Sequence, residues 1–160
     1  MDKRKFKIAL AVFLLSYIAV LVVTKVLPYY KFKNYEPAAG DLVFQSLPYN
    51  DLVLAIEGIS ESPYSHCGIV VNRNGEWYVL EAIGPVKYTP LYDWVDRGRE
   101  ASFAAYRFSK TYKIGDFIKA AESYLGKPYD SQYEMDDEKI YCSELIYKAF
   151  LNTEKIKLGD

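Results

Sequence analysis

The sequence predicts an α+β domain carried behind one long apolar helix. Three observations predict it. Residues 8–23 hold no charged side chain. Short segments rich in β-branched and aromatic residues, separated by turn residues, fill 41–108. Two patterns with helical spacing follow from about 115 onward. Strands grouped before helices are the mark of α+β order rather than of alternating βαβ units. With 160 residues the chain has room for one folded body.

The apolar run comes first. Ser16 and Tyr17 are its polar members up to Val23, and extended to residue 27 it spans 20 residues, with Lys25 near the end. At ~1.5 Å per residue a helix of that length crosses a hydrocarbon core of roughly 30 Å. Lys25 can snorkel to the headgroups, and Tyr29 and Tyr30 suit the interface. Lys3, Arg4, Lys5 and Lys7 precede the run, so the positive-inside rule predicts a cytoplasmic N-terminus and an exported body. The residues after the run, Thr24-Lys25-Val26-Leu27-Pro28-Tyr29, form a poor cleavage site, which favours an uncleaved signal anchor over a cleaved signal peptide or a core helix. The expected organisation is therefore a basic cytoplasmic segment at 1–7, a transmembrane anchor at 8–27, a linker at 28–38 and a folded domain at 39–160.

Composition narrows the function. Hydrophobic residues make up 51% and charged residues 26%, which excludes general disorder. Two cysteines are too few for a disulfide scaffold or a four-cysteine zinc site, and one histidine excludes a multi-histidine centre. No metal and no cofactor is expected. The net charge of −1 conceals an asymmetry, because residues 1–33 hold seven Lys/Arg against Asp2 alone. The body is acidic, so no nucleic-acid partner is expected.

Within the body, Gly40-Asp41 turns into a strand, Leu-Val-Phe-Gln. Residues 51–58 fit either a strand or a helix, and 61–64 form a loop. Residues 65–71 and 76–82 read as a hairpin around Asn72-Arg73-Asn74-Gly75. A strand at 86–89 follows, then Pro90 and a polar stretch containing Trp94. A strand is predicted over 101–108. Asp116 is the expected N-cap of a helix whose face is Phe117, Ile118, Ala121 and Leu125, closed by Gly126. Residues 129–139 form a polar loop. Its acidic run lacks the spacing of a calcium loop. The last helix starts at Tyr141-Cys142, and Cys142, Leu145, Ile146, Ala149 and Phe150 share one face.

The hairpin brings together the residues that can do chemistry. If Asn72 pairs with Gly75, partner numbers sum to 147 and His66 faces Glu81. If Asn74-Gly75 is the turn centre, they sum to 149 and Glu81 is the diagonal neighbour. His66 and Glu81 share a face in both registers. A carboxylate beside an imidazole orients the ring and stabilises its cation. Alternation puts Cys67 on the other face, where it reads as a small buried hydrophobe. Cys142 sits at a helix start, where free amides and the macrodipole favour a thiolate. Near His66 it would be an activated nucleophile, giving a Cys–His–Glu triad. The competing readings are a structural histidine with a packing cysteine, and a Cys67–Cys142 disulfide. Tyr64 and Tyr141 flank the site and are candidate oxyanion or substrate contacts.

Five segments, GDLVFQ (40–45), YSHCGIVV (64–71), YVLEAIGPVKYTPL (78–91), YLGKPYD (124–130) and YCSELIYKAF (141–150), together resemble the permuted papain-like, NlpC-related cysteine hydrolases. The resemblance is to their YiiX-like bacterial group, in a clan that includes the lecithin retinol acyltransferase-like proteins. It implies a circularly permuted papain-like (NlpC-like) fold, in which the sheet precedes the nucleophile helix. It implies Cys142 as nucleophile, His66 as base and Glu81 as the third polar residue. Tyr129 and Asp130 match a family signature without an assigned role. The chain departs from the family pattern in its membrane helix and in stopping at Asp160, where relatives usually continue. The implied activity is hydrolysis of an amide, such as a cell-wall peptide, at the outer side of a bacterial cell membrane. A lipid acyltransferase or esterase is the runner-up. A tethered, non-catalytic binding module is the alternative class.

Overall fold

The structure, a computed structural model, describes residues 2–26, 32–109, 112–134 and 136–154. Helix α1 (Lys3–Leu21) runs into a π-helical turn, Val22–Val26. Asp2 caps it by accepting from the Arg4 N–H at 3.1 Å. The hydroxyls of Ser16 and Thr24 donate to the carbonyls of Phe13 and Val20 within the helix, so neither needs water. The stretch Lys3–Thr24 is long and apolar enough to cross a membrane. None of α1 is buried against the body, unlike a core helix. The expectations for Tyr29, Tyr30, the Lys25 side chain and the boundary near residue 27 lie outside the described residues.

The body is built on five antiparallel strands, β1 (Leu42–Gln45), β2 (His66–Arg73), β3 (Glu76–Ala82), β4 (Val86–Pro90) and β5 (Phe103–Tyr106), in the order β4-β3-β2-β1-β5. The β2–β3 register pairs Ile69 with Leu80 and Arg73 with Glu76, so partner numbers sum to 149. Asn74-Gly75 is therefore the turn. Both residues take positive φ, +55° and +88°, as a type I′ hairpin turn requires.

Residues 51–58, ambiguous from sequence, belong to helix α2 (Asp51–Ile59), with the Asn50 side chain accepting from the Val53 N–H at 2.8 Å. The stretch after Pro90, expected to be irregular, is helix α3 (Leu91–Arg97), followed by a 3₁₀ turn Arg99–Ala101. Its sequence is only seven residues long, too short for periodicity to reveal. Its buried face is Leu91, Trp94 and Val95. The strand expected over 101–108 is confined to Phe103–Tyr106. Helix α4 (Ile114–Glu122) begins earlier than expected, so Asp116 lies in its first turn and is not its cap. Phe117 and Ala121 are buried as expected, but Leu125 lies beyond the helix and is 41% exposed. Helix α5 (Cys142–Glu154) ends the described chain.

The sheet is covered on both faces. Cys67, Ile69, Val71, Leu80 and Ala82 face α4 and α5, with Phe117, Leu145 and Phe150 among their partners. Val43, Val70 and Val79 face α3, packing on Trp94 and Leu91. This is the period-2 alternation that the sequence carries.

Candidate active site

The β2–β3 hairpin positions His66 and Glu81. The ladder places Glu81 diagonal to His66, and His66 Nε2 lies 2.6 Å from Glu81 Oε2. Gly68 stands between them on the same face. A Cβ there would fall 2.3 Å from Val79 Cγ1 and 3.3 Å from Glu81 Cβ, so the strands meet this closely only because residue 68 lacks a side chain. Glu81 is fully buried. Arg97 at the end of α3 grips it with both nitrogens, Nη1 to Oε1 at 3.0 Å and Nη2 to Oε2 at 2.5 Å. Thr89 Oγ1 donates to Oε1 at 2.5 Å. Burial by itself would push the Glu81 carboxyl up, but His66 and Arg97 hold it down at about 2. It is a permanent anion at neutral pH.

Cys142 is the first residue of α5. Tyr141 precedes the helix, and its N–H donates to Glu144 Oε2 at 3.2 Å, the side-chain half of a capping box. Lys148 Nζ holds the other Glu144 oxygen at 3.0 Å one turn on. Upstream, Tyr129 bridges in parallel to Ile140, and the Ile140 N–H donates to the Pro128 carbonyl at 2.9 Å. This tie delivers Tyr141-Cys142 to the start of β2. Asp130 is buried beside it, with Oδ1 accepting from the Gln132 N–H at 2.9 Å.

Cys142 lines one cavity with His66 and Cys67, and both bear on its titration. Because Nε2 of His66 is committed to Glu81, Nδ1 is the nitrogen left for the thiol. Cys142 sits well below the usual thiol range. The hydrogen bond from Cys67 is the largest cause, and His66 adds a hydrogen bond and a positive charge that outweigh burial. His66 moves the other way. Burial pushes it down, but the sulfur of Cys142 and the Glu81 carboxylate raise it to about 9. Each group thus favours the charged form of the other.

One expectation needs correction. Cys67 was expected to stand apart from the site because it points away from His66. It does face the opposite side of the sheet, yet it contacts Cys142, because α5 begins over the end of β2 and a group at a strand end can touch both faces. Cys142 itself is only 9% exposed. Both thiols are free, which sets aside the disulfide reading for this structure. Cys67 itself is raised well above the usual thiol value, by its hydrogen bond with Cys142 and by burial, so Cys142 is the more acidic of the two thiols.

A cavity of about 210 Å³ opens onto His66 and Cys142, walled by Phe44, Ile56 and Tyr64. Tyr64 thus stands in the site. Tyr141 lines the adjoining cavity with Ile146 and Tyr147. Arg97, Thr89 and Glu144 are site residues that sequence reasoning missed. Thr89 was within reach of it, since alternation along β4 puts it on the Glu81 side. Arg97 was not, because its helix went unread.

Fold and site together define a papain-like domain whose order is permuted, with the histidine sheet ahead of the cysteine helix. The comparisons name the family. Residues 36–160 match the permuted papain-like amidase enzymes of the YaeF/YiiX, C92 family, and the chain belongs to that family. It is similar to the "Uncharacterized protein YiiX" of Escherichia coli strain K12, with 36% identity over 129 residues, 79% of this chain. The match spans 63% of the length of that relative. It is also similar to a solved structure described as metalloprotein yiiX from Escherichia coli O157:H7, with TM-score 0.73 and 36% identity, covering 79% of this chain and 71% of the other. The described residues of the present chain do not fit a metal. No three His, Cys, Asp or Glu side chains among them stand as a metal-holding group, and the imidazole of His66 is engaged by Glu81 and Cys142.

Proposed function

We propose that this chain is a membrane-anchored cysteine amidase that works through an acyl-enzyme on Cys142. The observation that carries this reading is the contact of a helix-start thiol with a histidine that a buried carboxylate holds in place. The thiolate attacks the carbonyl carbon of an amide. The Cys142 N–H, unpaired at the first turn, faces the developing oxyanion, and Tyr64 or Tyr141 supplies a further donor. His66 gives its proton to the leaving amine. It then takes a proton from water, which attacks the thioester and frees the acid. Glu81 keeps the ring oriented throughout. In this reading residues 1–7 are cytoplasmic, 8–27 span a bacterial membrane once, 28–38 link, and 39–160 act on the outer side.

Amide turnover by the full chain tests the reading. Cys142→Ala should abolish turnover while leaving the thermal transition near that of the unaltered protein, since a thiol becomes a methyl group. His66→Ala should slow both turnover and alkylation of Cys142 by iodoacetamide. Full turnover in either variant would overturn the triad. If Cys142 and Cys67 are alkylated at equal rates and no amide is cleaved, the fold serves as a binding module.

A further inference from the structure

Helix α2 is built inside out. At ~100° per residue, Leu54, Gly58, Asp51, Ala55, Ile59 and Leu52 follow one another round roughly 160° of its surface, and all six are exposed. Ile59 is 87% exposed, and Leu52 and Leu54 are each more than half exposed. The helix buries Val53 alone. Its inner side instead carries Glu57, whose Oε1 accepts from Arg99 Nη2 at 2.6 Å and from the Ser46 hydroxyl. Tyr49, just ahead of the helix, is exposed too, with the Arg99 guanidinium 3.9 Å from its ring centre. A surface helix ordinarily turns its charges outward and its apolar stripe inward. Here the wide apolar arc faces outward, and a contiguous exposed patch of that kind marks a surface that something covers.

The tether points to what covers it. Lys3–Thr24 is long and apolar enough to cross a membrane, and eight residue steps lead from Thr24 to Phe32, at most about 29 Å of chain. From Phe32 onward the chain is stitched to the body. Phe32 packs edge-on against Tyr92 and Tyr35 against Phe103, while Arg107 Nη2 donates to the Glu36 carbonyl at 2.9 Å. The body therefore stays close to any bilayer that α1 enters. Tether and α2 also meet the body in one place, the start of β5. Tyr35 packs on Phe103 there, and Arg99, four residues earlier, holds Glu57. We propose that the outward face of α2 docks into the interfacial layer of the membrane that α1 spans. The inference rests on α1 as a membrane span. Leu52, Leu54 and Ile59 enter the boundary between headgroups and acyl chains, and Tyr49 takes the place an aromatic ring favours there. Asp51 and Glu61 bracket the arc at its two ends, where carboxylates reach the headgroups. Ile56, on the flank of the helix, walls both the cavity onto Cys142 and a second one of about 160 Å³ beside His66. Docking thus holds the mouth of the catalytic site at the membrane surface.

Tryptophan quenching on the full chain tests this, with one chain per nanodisc of dioleoylphosphatidylcholine and matching discs whose acyl chains carry bromine. Bromine quenches an indole only near contact. Ile59→Trp puts a probe on the arc. Glu76→Trp puts one at the exposed hairpin tip, at the end of β3 that pairs with Arg73 and so lies farthest from His66. The emission of the unaltered chain, from Trp77 and Trp94, is subtracted from both. The added emission of Ile59→Trp should be blue-shifted and lost in the brominated discs, and that of Glu76→Trp should be neither. Adding Leu52→Asp and Leu54→Asp, both at exposed positions, should restore the Ile59→Trp emission while the chain stays in the disc. Unquenched Ile59→Trp in a disc-bound chain would overturn the docking and leave the α1 anchor standing. Equal quenching of the two probes, or quenching that survives the aspartates, would also overturn it, because the body would then lie on the bilayer without using this face. A blue shift without quenching, present only at two chains per disc, would give the face to a second copy instead. A full chain that enters no disc would overturn the anchor, and the docking with it.

Discussion

At the scale of single residues the site is a chain of charges. Arg97 fixes Glu81, Glu81 fixes His66, and His66 faces the Cys142 sulfur. Each link shifts the next. The pH profile follows with a definite sign. His66 is raised to about 9, so its proton is present below that pH and lost above it. The value of kcat/KM should therefore fall on its alkaline side near pH 9. Glu81→Gln removes one of the two partners that raise His66, so that limb should move down toward the ordinary 6.5 and kcat should drop. An unmoved limb in the Gln variant would take Glu81 out of the triad. Arg97 is a positioning residue by the same logic. Arg97→Gln should cost roughly 2–3 kcal/mol of stability by stripping charged hydrogen bonds from a buried carboxylate, and denaturant unfolding measures it.

At the scale of elements, the turn at Asn74-Gly75 decides the register, and the register decides that His66 meets Glu81 diagonally across Gly68. Gly68→Ala tests this packing. Its methyl would overlap Val79 Cγ1 and crowd the Leu80 carbonyl oxygen at 3.1 Å. Overpacking of that kind costs about 1–3 kcal/mol. It should also part the two strands and slow Cys142 alkylation, as Glu81 shifts from His66. Normal stability and reactivity in the alanine variant would mean that the hairpin has slack. Helix α5 was legible because its apolar face repeats over nine residues, from Cys142 to Phe150. Helix α3 was not, because a seven-residue helix opening on Pro90 offers no repeat, and its identity comes from packing Trp94 beneath the sheet.

At the scale of the whole molecule, two predictions apply. The first concerns topology. A basic cluster, an apolar helix followed by a poor cleavage site and an acidic body predict that the N-terminus stays cytoplasmic. Edman sequencing of the mature protein should return the unprocessed start, and protease added outside spheroplasts should reach the body. A new terminus between residues 24 and 35 would leave a secreted enzyme in place of an anchored one. The second concerns acid stability. Glu81 is depressed from an ordinary 4.5 to about 2, so its contribution is present above 4.5 and fades as pH falls through 2. The melting temperature of the unaltered full chain should therefore exceed that of Glu81→Gln at neutral pH, with the gap narrowing below pH 4.5. A gap independent of pH would place the stabilisation elsewhere.

The sequence by itself determined what is local. Side-chain alternation along 65–71 and 76–82 put His66 and Glu81 on one face whichever register the turn chose, since both registers differ by two residues. Hydropathy marked α1, and helical spacing set Cys142 at the start of α5. What tertiary structure decided is whatever depends on where elements end against one another. The approach of α5 to the end of β2 brings Cys67 into contact with Cys142, although alternation alone sets Cys67 apart. The docking of α3 supplies Arg97 from a stretch without sequence signal. Local pattern reports which way a side chain points, whereas a contact between distant segments depends on the closure of the whole core, and no short window of sequence contains that.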